Sequence, residues 1–438
     1  MYLFRTALQS SLITEPGTFA VFCIFFHCFL RKTREKSRIR LSIFTGISAK
    51  FEKFFRRILN ITIMKKIQMV DLYGQYEKIK PEIDSEIQRV IESTAFINGP
   101  AVREFQEALQ SWLGVHHVIP CGNGTDALQI ALMALGLKPG DEVIAPDFTF
   151  VATAEVVALL GLKPVFVDVD PDTFTMSPEA FESAITPRTR AVIPVHLFGQ
   201  CCNMHSILSV ARKYNLFVIE DVAQATGAEY TFPDGRKAKA GTMGDIGCTS
   251  FFPSKNLGCY GDGGAMMTND DSLAEKLRSI ANHGMKVRYY HDRVGVNSRL
   301  DTLQAAILKV KLKYLDAYNA ARQKAAAFYD SALNSLPSLS IPARAPWSNH
   351  IFHQYTLKVT DSKRDKLKEH LERKGIPSMI YYPVPLHLQK AYSWLGYRQG
   401  QFPVTEELCS VVLSLPMHTE LDEGQLRYIC SSIKEFMQ

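Results

Sequence analysis

Three short segments carry residue types and spacings that could do chemistry. The first is Cys121-Gly122-Asn123-Gly124-Thr125-Asp126, a small-residue turn that opens directly into an apolar helical stretch. Glycines let the backbone approach a ligand, and a helix N-terminus offers free N–H groups and a positive dipole end to an anion. Read alone, the segment is equally a loop in which Thr125 or Asp126 caps the helix. The second is Val218-Ile219-Glu220-Asp221-Val222-Ala223-Gln224, where a carboxylate ends an apolar strand. Burying a carboxylate without a positive partner is costly. Asp221 is therefore either a capping residue at the sheet edge or the counter-charge of a protonated ring nitrogen. The third is Thr249-Ser250-Phe251-Phe252-Pro253-Ser254-Lys255-Asn256-Leu257-Gly258, followed by Gly261-Asp262-Gly263-Gly264. Lysine is ordinarily a surface residue. Hemmed by Phe251, Phe252, Pro253 and Leu257, Lys255 is expected to lose its proton readily and to present a neutral amine to a carbonyl. Ser250 can donate its hydroxyl to a phosphate. A phosphate-cradling turn, a strand-end aspartate and a desolvated lysine, in that order, describe a site for pyridoxal 5′-phosphate.

Those segments need a scaffold that gathers strand ends. From Ile67 onward, helical and strand-like runs alternate. Helical spacing of apolar residues predicts helices over Pro81–Ser93 and Val102–Trp112. Seven apolar runs then read as buried strands: His117–Pro120, Glu142–Pro146, Pro164–Val169, Ala191–His196, Phe217–Asp221, Gly247–Phe252 and Gly264–Thr268. Helical stretches such as Thr125–Leu135, Ala152–Leu160 and Met204–Tyr214 lie between the earlier ones. This alternation predicts an α/β fold with a mostly parallel seven-stranded sheet covered on both faces. Ligands of such sheets bind outside the carboxyl ends of the strands. A long helical stretch, Leu300–Leu333, precedes a strand at Gln354–Val359, a helix at Arg364–Lys374, a strand at Ser378–Tyr381 and a closing helix at Asp422–Phe436. The latter elements make a smaller α+β domain. The expected organisation is an extension over 1–63, a large domain over 64–315 and a small C-terminal domain over 316–438.

The 438 residues are 46% apolar and 21% charged, which excludes a disordered chain, a collagen and a small disulfide scaffold. Net charge is +6, but residues 1–63 hold 11 Lys and Arg against 3 Asp and Glu. The basic excess belongs to that segment, so the body shows no nucleic-acid footprint. Nine scattered cysteines without a CxxC pair fit free thiols in a reducing compartment, with no metal site. The apolar run Phe19–Leu30 spans 12 residues and precedes the basic run Arg31–Arg40. A membrane helix needs about 20 apolar residues, and a secretory signal has its charges before the apolar run. The segment reads as an extension outside the folded protein, with a signal anchor as the competing reading.

The motifs GNGTDAL, GDEVI.P.FT.VATAE, VIED.AQ, TSFFPSKNLG, GDGGA and GVNSRLDTLQAAIL together resemble the DegT/DnrJ/EryC1/StrS sugar aminotransferases, from about Ile67 to the C-terminus. The resemblance implies the PLP-dependent aminotransferase fold type I and a cytoplasmic homodimer with shared active sites. It places the covalent link to the cofactor on Lys255 and the pyridine-nitrogen contact on Asp221, with Gln224 near the phenolic oxygen. Gly124, Thr125 and Ser250 match phosphate contacts, and Phe150 matches a ring stacked on the cofactor. Asn297 matches a residue that reaches the phosphate of the neighbouring subunit. Tyr381, Tyr382 and Asn282 lie where family members meet the substrate. Tyr381 departs from a common histidine, and Asn282 stands where some relatives carry an arginine. The YYPVPLHLQ and SLPMH segments are similar to enzymes that aminate UDP-2-acetamido-2-deoxy-ribo-hexuluronate, so the implied reaction moves an amino group from L-glutamate to that 3-keto sugar in polysaccharide synthesis. Amination of another UDP- or dTDP-keto-deoxysugar at carbon 3 or 4 is the alternative, followed by a non-enzymatic cofactor-binding regulator. A dehydratase branch of the family replaces the lysine by histidine, and Lys255 argues against it. Removing residues 1–63 is expected to leave an active enzyme starting at Met64. Expression of both forms, cell fractionation and assay test this, and activity confined to the full-length form would refute it.

Overall fold

Along the central strands, neighbouring residues are apolar on both sides of the chain, so each strand must be covered on two faces. The computed structural model describes residues 66–438 and realises this arrangement. The reading of 1–63 as an extension lies outside the described residues. Two helices lead in, α1 (Leu72–Ser93) and α2 (Pro100–Leu113). The sheet region follows as β1 (His117–Cys121), α3 (Gly124–Ala134), β2 (Glu142–Pro146), α4 (Ala152–Leu159), β3 (Lys163–Val167), α5 (Pro178–Ser183), β4 (Thr189–Val192), α6 (Met204–Lys213) and β5 (Phe217–Asp221). A hairpin of β6 (Glu229–Thr231) and β7 (Lys237–Lys239) precedes β8 (Ile246–Ser250), β9 (Gly264–Thr268) and α7 (Asp271–Ala281). The seven strands order as β1-β9-β8-β5-β4-β2-β3. Only β9 runs against its neighbours, β1 and β8; the other pairs are parallel.

Strand alternation divides the core into two layers. Val118, Ile144, Val192, Val218 and Met267 enter the cluster with Phe105 and Leu109 of α2. Their neighbours Ile119, Val143, Ile193, Ile219 and Met266 enter the cluster with Ala127 and Ile130 of α3 and Val157 of α4. The six co-directional strands then bring Cys121, Pro146, Asp221 and Ser250 to one end of the sheet. That end carries the candidate chemistry.

After the small hairpin β10 (Met285–Val287) and β11 (Tyr290–His291), the chain enters α8 (Thr302–Leu312) and α9 (Leu315–Leu333). The C-terminal part holds β12 (Leu339–Ser340), β13 (Tyr355–Val359), α10 (Arg364–Arg373), α11 (Pro403–Val411), β14 (Val412–Leu415) and α12 (Glu423–Met437). Its three strands pair antiparallel in the order β12-β13-β14. Tyr329, Leu333, Tyr355, Leu371, Leu413 and Ile429 share one core there. Among the described residues no helix is long and apolar enough to cross a membrane.

Three sequence expectations need correction. The first helix begins at Leu72 rather than Pro81, because Asp71 caps it by accepting the Gly74 N–H at 2.8 Å. Pro81 sits inside on the exposed side, where the carbonyl it deprives of a partner, on exposed Glu77, faces water. The stretch 300–333 is two helices, separated at Lys313–Tyr314. The expected strand Ser378–Tyr381 makes only one bridge, Met379 to Ser414. The buried run Val412–Leu415 takes the strand position instead, since Met379 is 43% exposed and a proline follows at 383.

Register at one sheet corner sets the geometry of the first motif. Gly264 pairs with Cys121 on one side and Ser250 on the other. A Cβ on Gly264 would lie 2.4 Å from the Asn123 carbonyl oxygen. Gly264→Ala is therefore expected to destabilise the protein by about 1–3 kcal/mol through backbone displacement at this corner. Thermal unfolding measures it, and an unchanged Tm would contradict so tight a corner.

Candidate active site

Strand β5 delivers two consecutive carboxylates into the interior, and their surroundings differ. Glu220 is fully satisfied. Its Oε1 accepts the N–H groups of Met243 and Gly244, both at 2.7 Å, and its Oε2 accepts that of Gly241 at 2.9 Å. His196 Nε2 stands 2.9 Å from Oε2, while its Nδ1 accepts the Cys202 N–H at 3.1 Å. That acceptor role leaves the ring proton on Nε2, donated to Glu220. Asp221 has fewer donors, namely Thr153 Oγ1 to Oδ2 at 2.9 Å and the Ala223 N–H to Oδ1 at 3.1 Å. Burial pushes its carboxyl above the usual carboxylate range, opposed by those two donors and by Lys255.

Lys255 lies in the loop after β8. Hydrogen bonds from Phe251 N to Gly263 O (2.7 Å), Cys259 N to Phe251 O (2.8 Å) and Lys255 N to Phe252 O (2.8 Å) fold that loop back on itself. Gly258 permits the fold, because a Cβ there would meet Pro253 O at 2.4 Å. The side chain is only partly exposed. Burial pulls its ammonium down to about 8, with the Asp221 carboxylate opposing. Far more neutral amine is therefore present near neutral pH than for an ordinary lysine.

The Cys121–Asp126 turn opens α3. Asn123 caps it by accepting the Asp126 N–H at 2.8 Å, which leaves the Gly124 and Thr125 N–H groups without intrahelical partners. Gly124 packs directly on Ser250, whose Cβ would lie 2.7 Å from an added Cβ. Ser250 Oγ accepts the Phe252 N–H at 3.2 Å. Ser298 closes the other side, accepting the Gly122 N–H at 2.9 Å and donating to Asp126 Oδ2 at 2.6 Å. Glycine backbone, a helix N-terminus and a hydroxyl thus lie together, a set that could hold an anion.

A set of aromatic rings packs beside Gln224. The Tyr382 ring lies 6.1 Å from buried Phe148 and 6.3 Å from Phe150, whose own ring is 53% exposed. Gln224 Oε1 accepts the Phe198 N–H at 2.8 Å, and its Nε2 donates to the Tyr382 hydroxyl at 3.0 Å. Tyr381 is half-buried, 6.0 Å from Tyr382. Asn282 and Asn297 are both exposed and bridge each other. Thus Gly124 meets Ser250, Asp221 lies within electrostatic reach of Lys255, and Gln224 meets Tyr382, while Asn282 and Asn297 form an exposed main-chain bridge next to Ser298. Sequence reasoning missed Thr153 and Ser298. Neither carries a local signal, since their partners lie 68 and 176 residues away.

A sequence profile described as the DegT/DnrJ/EryC1/StrS aminotransferase family matches residues 77–434. The chain is 47% identical to a UDP-2-acetamido-2-deoxy-3-oxo-D-glucuronate aminotransferase of Pseudomonas aeruginosa, over 84% of this chain and 99% of that protein. It is 46% identical to a UDP-N-acetyl-3-dehydro-alpha-D-glucosamine 3-aminotransferase of Acidithiobacillus ferrooxidans, over 84% and 97%. A Geobacillus stearothermophilus protein named a pleiotropic regulatory protein is also 47% identical, over 84% and 98%. Among solved structures, NtdA of Bacillus subtilis with bound cofactor PMP superposes with a TM-score of 0.79 at 32% identity, covering 85% of this chain and 86% of that one.

Reductive methylation of Lys255, read by mass spectrometry, is expected to rise with pH through about 8, well before lysines with the ordinary value of 10.5. The neutral amine is the reacting form, so labelling grows as the proton leaves. Asp221→Asn removes the charge that holds the proton, and the midpoint should move to lower pH. A midpoint near that of surface lysines would contradict the desolvated site.

Proposed function

The chain belongs to the DegT/DnrJ/EryC1/StrS aminotransferase family, and from that premise we propose that it transfers an amino group from L-glutamate to UDP-2-acetamido-2-deoxy-3-keto-glucuronate in polysaccharide synthesis. The protein is a pyridoxal phosphate-dependent nucleotide-sugar aminotransferase of fold type I. The observation that carries the substrate-independent part is the placement of Lys255, its amine depressed by burial, within electrostatic reach of buried Asp221 and beside the turn at Gly124 that packs on Ser250.

The residues present fit the cofactor. A side chain on Gly124 would fill the space against Ser250, so the cradle needs its glycine, and a buried carboxylate with two neutral donors lacks a cationic partner such as a ring N–H. When bound, pyridoxal phosphate supplies an electron-accepting ring that lets an amino acid surrender its α-proton. Gly124, Thr125 and Ser250 would hold its phosphate, and Phe150 would cover one face of its ring. Asp221, oriented by Thr153, would keep the ring nitrogen protonated. The amine of Lys255 would make the covalent attachment and, once freed, take up and return a proton at Nζ, a role worth typically ~10²–10⁴ in rate. Gln224 and Tyr382 would line the side away from the phosphate, with Tyr381 and Asn282 toward the sugar.

We read a homodimer in which Asn297 serves the neighbouring site. Free, buried cysteines fit a cytoplasmic location. Asn282 favours a second substrate reading. An uncharged side chain there offers no ion pair to a sugar carboxylate, so the neutral UDP-3-keto-N-acetylglucosamine, the type of substrate named for the Acidithiobacillus relative, is the alternative.

A panel of UDP- and dTDP-ketosugars, assayed with glutamate and mass detection, tests the reading. Amination of a 3-keto UDP sugar with kcat/KM at least about tenfold above 4-keto sugars is expected, a difference of 1.4 kcal/mol in transition-state binding. Lys255→Ala should abolish turnover. No amination of any panel member by the loaded enzyme would sink the proposal.

A further inference from the structure

Besides His196 and Glu220, another pair of ionisable groups is buried outside the Asp221–Lys255 centre. Asp147 directly follows β2, and His387 lies 240 residues later, between α10 and α11. Both side chains are fully buried. His387 Nδ1 stands 2.6 Å from Asp147 Oδ2, its main-chain N–H donates to Oδ1 at 2.8 Å, and the Leu386 N–H donates to the Asp147 carbonyl at 3.3 Å. Glu406 Oε1 approaches the other ring nitrogen to 3.3 Å, at ion-pair distance but without an aligned hydrogen bond. Apolar residues of similar volume would join the two segments at lower desolvation cost. What three convergent bonds add is a single register between them.

The register matters because each segment continues into the active site. Asp147 is followed by Phe148-Thr149-Phe150. Phe148 packs edge-on against Tyr382, and Thr149 Oγ1 lies 3.4 Å from the Thr153 hydroxyl that bonds Asp221. His387 comes five residues after Tyr382, whose hydroxyl accepts from Gln224. One buried pair therefore ties together the segments that carry Phe148 and Tyr382.

We propose that Asp147 and His387 are positioning residues that hold Tyr382 against Gln224 and Phe148. The inference rests on reading that site as the aminotransferase centre. Asp147 and His387 act through Tyr382 and touch no reacting group.

The test is a double-mutant cycle on the pyridoxal phosphate-loaded enzyme, reading kcat/KM for the accepted ketosugar, the rate of cofactor release and Tm. Asp147→Ala and His387→Ala should each lower kcat/KM by at least about tenfold. Asp147→Asn should stay within about threefold, because its amide keeps the shape, accepts from the His387 N–H and donates to Nδ1. In Asp147→Ala/Tyr382→Phe the loss should fall well short of the product of the single losses, since both changes break one contact chain. Multiplicative losses, or losses that follow Tm alone, overturn the proposal. Should the alanine variants not fold, His387→Gln replaces them in the cycle with the same expected coupling. If the wild type binds cofactor but aminates no ketosugar, the aminotransferase reading fails separately. Cofactor release then decides the positioning role: faster release in Asp147→Ala but not in Asp147→Asn supports it, and equal rates overturn it.

Discussion

Two adjacent carboxylates at the end of the central strand impose the constraint on which the site depends. Alternation along β5 sends Glu220 and Asp221 to opposite faces of the sheet, and both are buried. Neither face tolerates a charge without donors. On the Glu220 side, three main-chain N–H groups and His196 converge, so the 241–244 loop is folded around that carboxylate. The same loop leads into β8, and Asp245 ties its start to β5 by accepting the Val218 N–H at 2.7 Å. The loop that Glu220 organises thus sets the pairing of β5 with β8. That pairing brings the Lys255 loop, which follows β8, within electrostatic reach of Asp221. Structural and chemical carboxylates are neighbours in sequence and opposites in role.

The glycines complete the arrangement by removing side chains where three strands and a helix start converge. Gly264 lies between Cys121 and Ser250, and Gly124 rests on Ser250. A β9 strand running against its neighbours is what lets β1 and β8 end side by side with a glycine between them. Free N–H groups at a helix start close to a hydroxyl are a set that can hold an anion, and this corner brings them together. Charge at the cradle comes from the helix terminus and is worth only about 0.3–2 kcal/mol, so the shape of the cradle must do most of the discrimination.

Legibility followed the sequence separation of the partners. Lys255, Asp221 and the Gly124–Thr125 turn were legible because each announces itself within about ten residues: a polar or small group where an apolar run stops. Seven buried strands were legible for the same reason. Boundaries failed where two signals merged. Pro403–Val411 runs straight into Val412–Leu415 with no turn residue between helix and strand, so an apolar run without period concealed the third strand of the small sheet. Pro81 concealed the first turns of α1, since a proline on a solvated helix face costs less than its rule implies. Thr153, Ser298, Asp147 and His387 were illegible because their roles exist only through partners 68, 176 and 240 residues away. No local pattern encodes such a pairing.

The electrostatics of the site explain why it suits a ligand that brings charges of its own. Burial pushes Asp221 toward its neutral acid and Lys255 toward its neutral amine, so both shifts point away from an ion pair. For Lys255 the ammonium is disfavoured by roughly 3 kcal/mol relative to water, at 1.36 kcal/mol for each tenfold change in proton affinity. Left to themselves the two groups gain little by facing each other across a poorly solvated gap. A planar ligand with a protonated ring nitrogen changes this balance. It would give Asp221 a directed cationic donor that favours the carboxylate, and it would give the neutral amine a carbonyl carbon to attack. Its phosphate would meet the helix start at Gly124 and Thr125, beside the Ser250 hydroxyl. Ser250 and Asp221 end strands β8 and β5, and Lys255 follows β8, so the spacing of the three is set by strand pairing before any ligand binds.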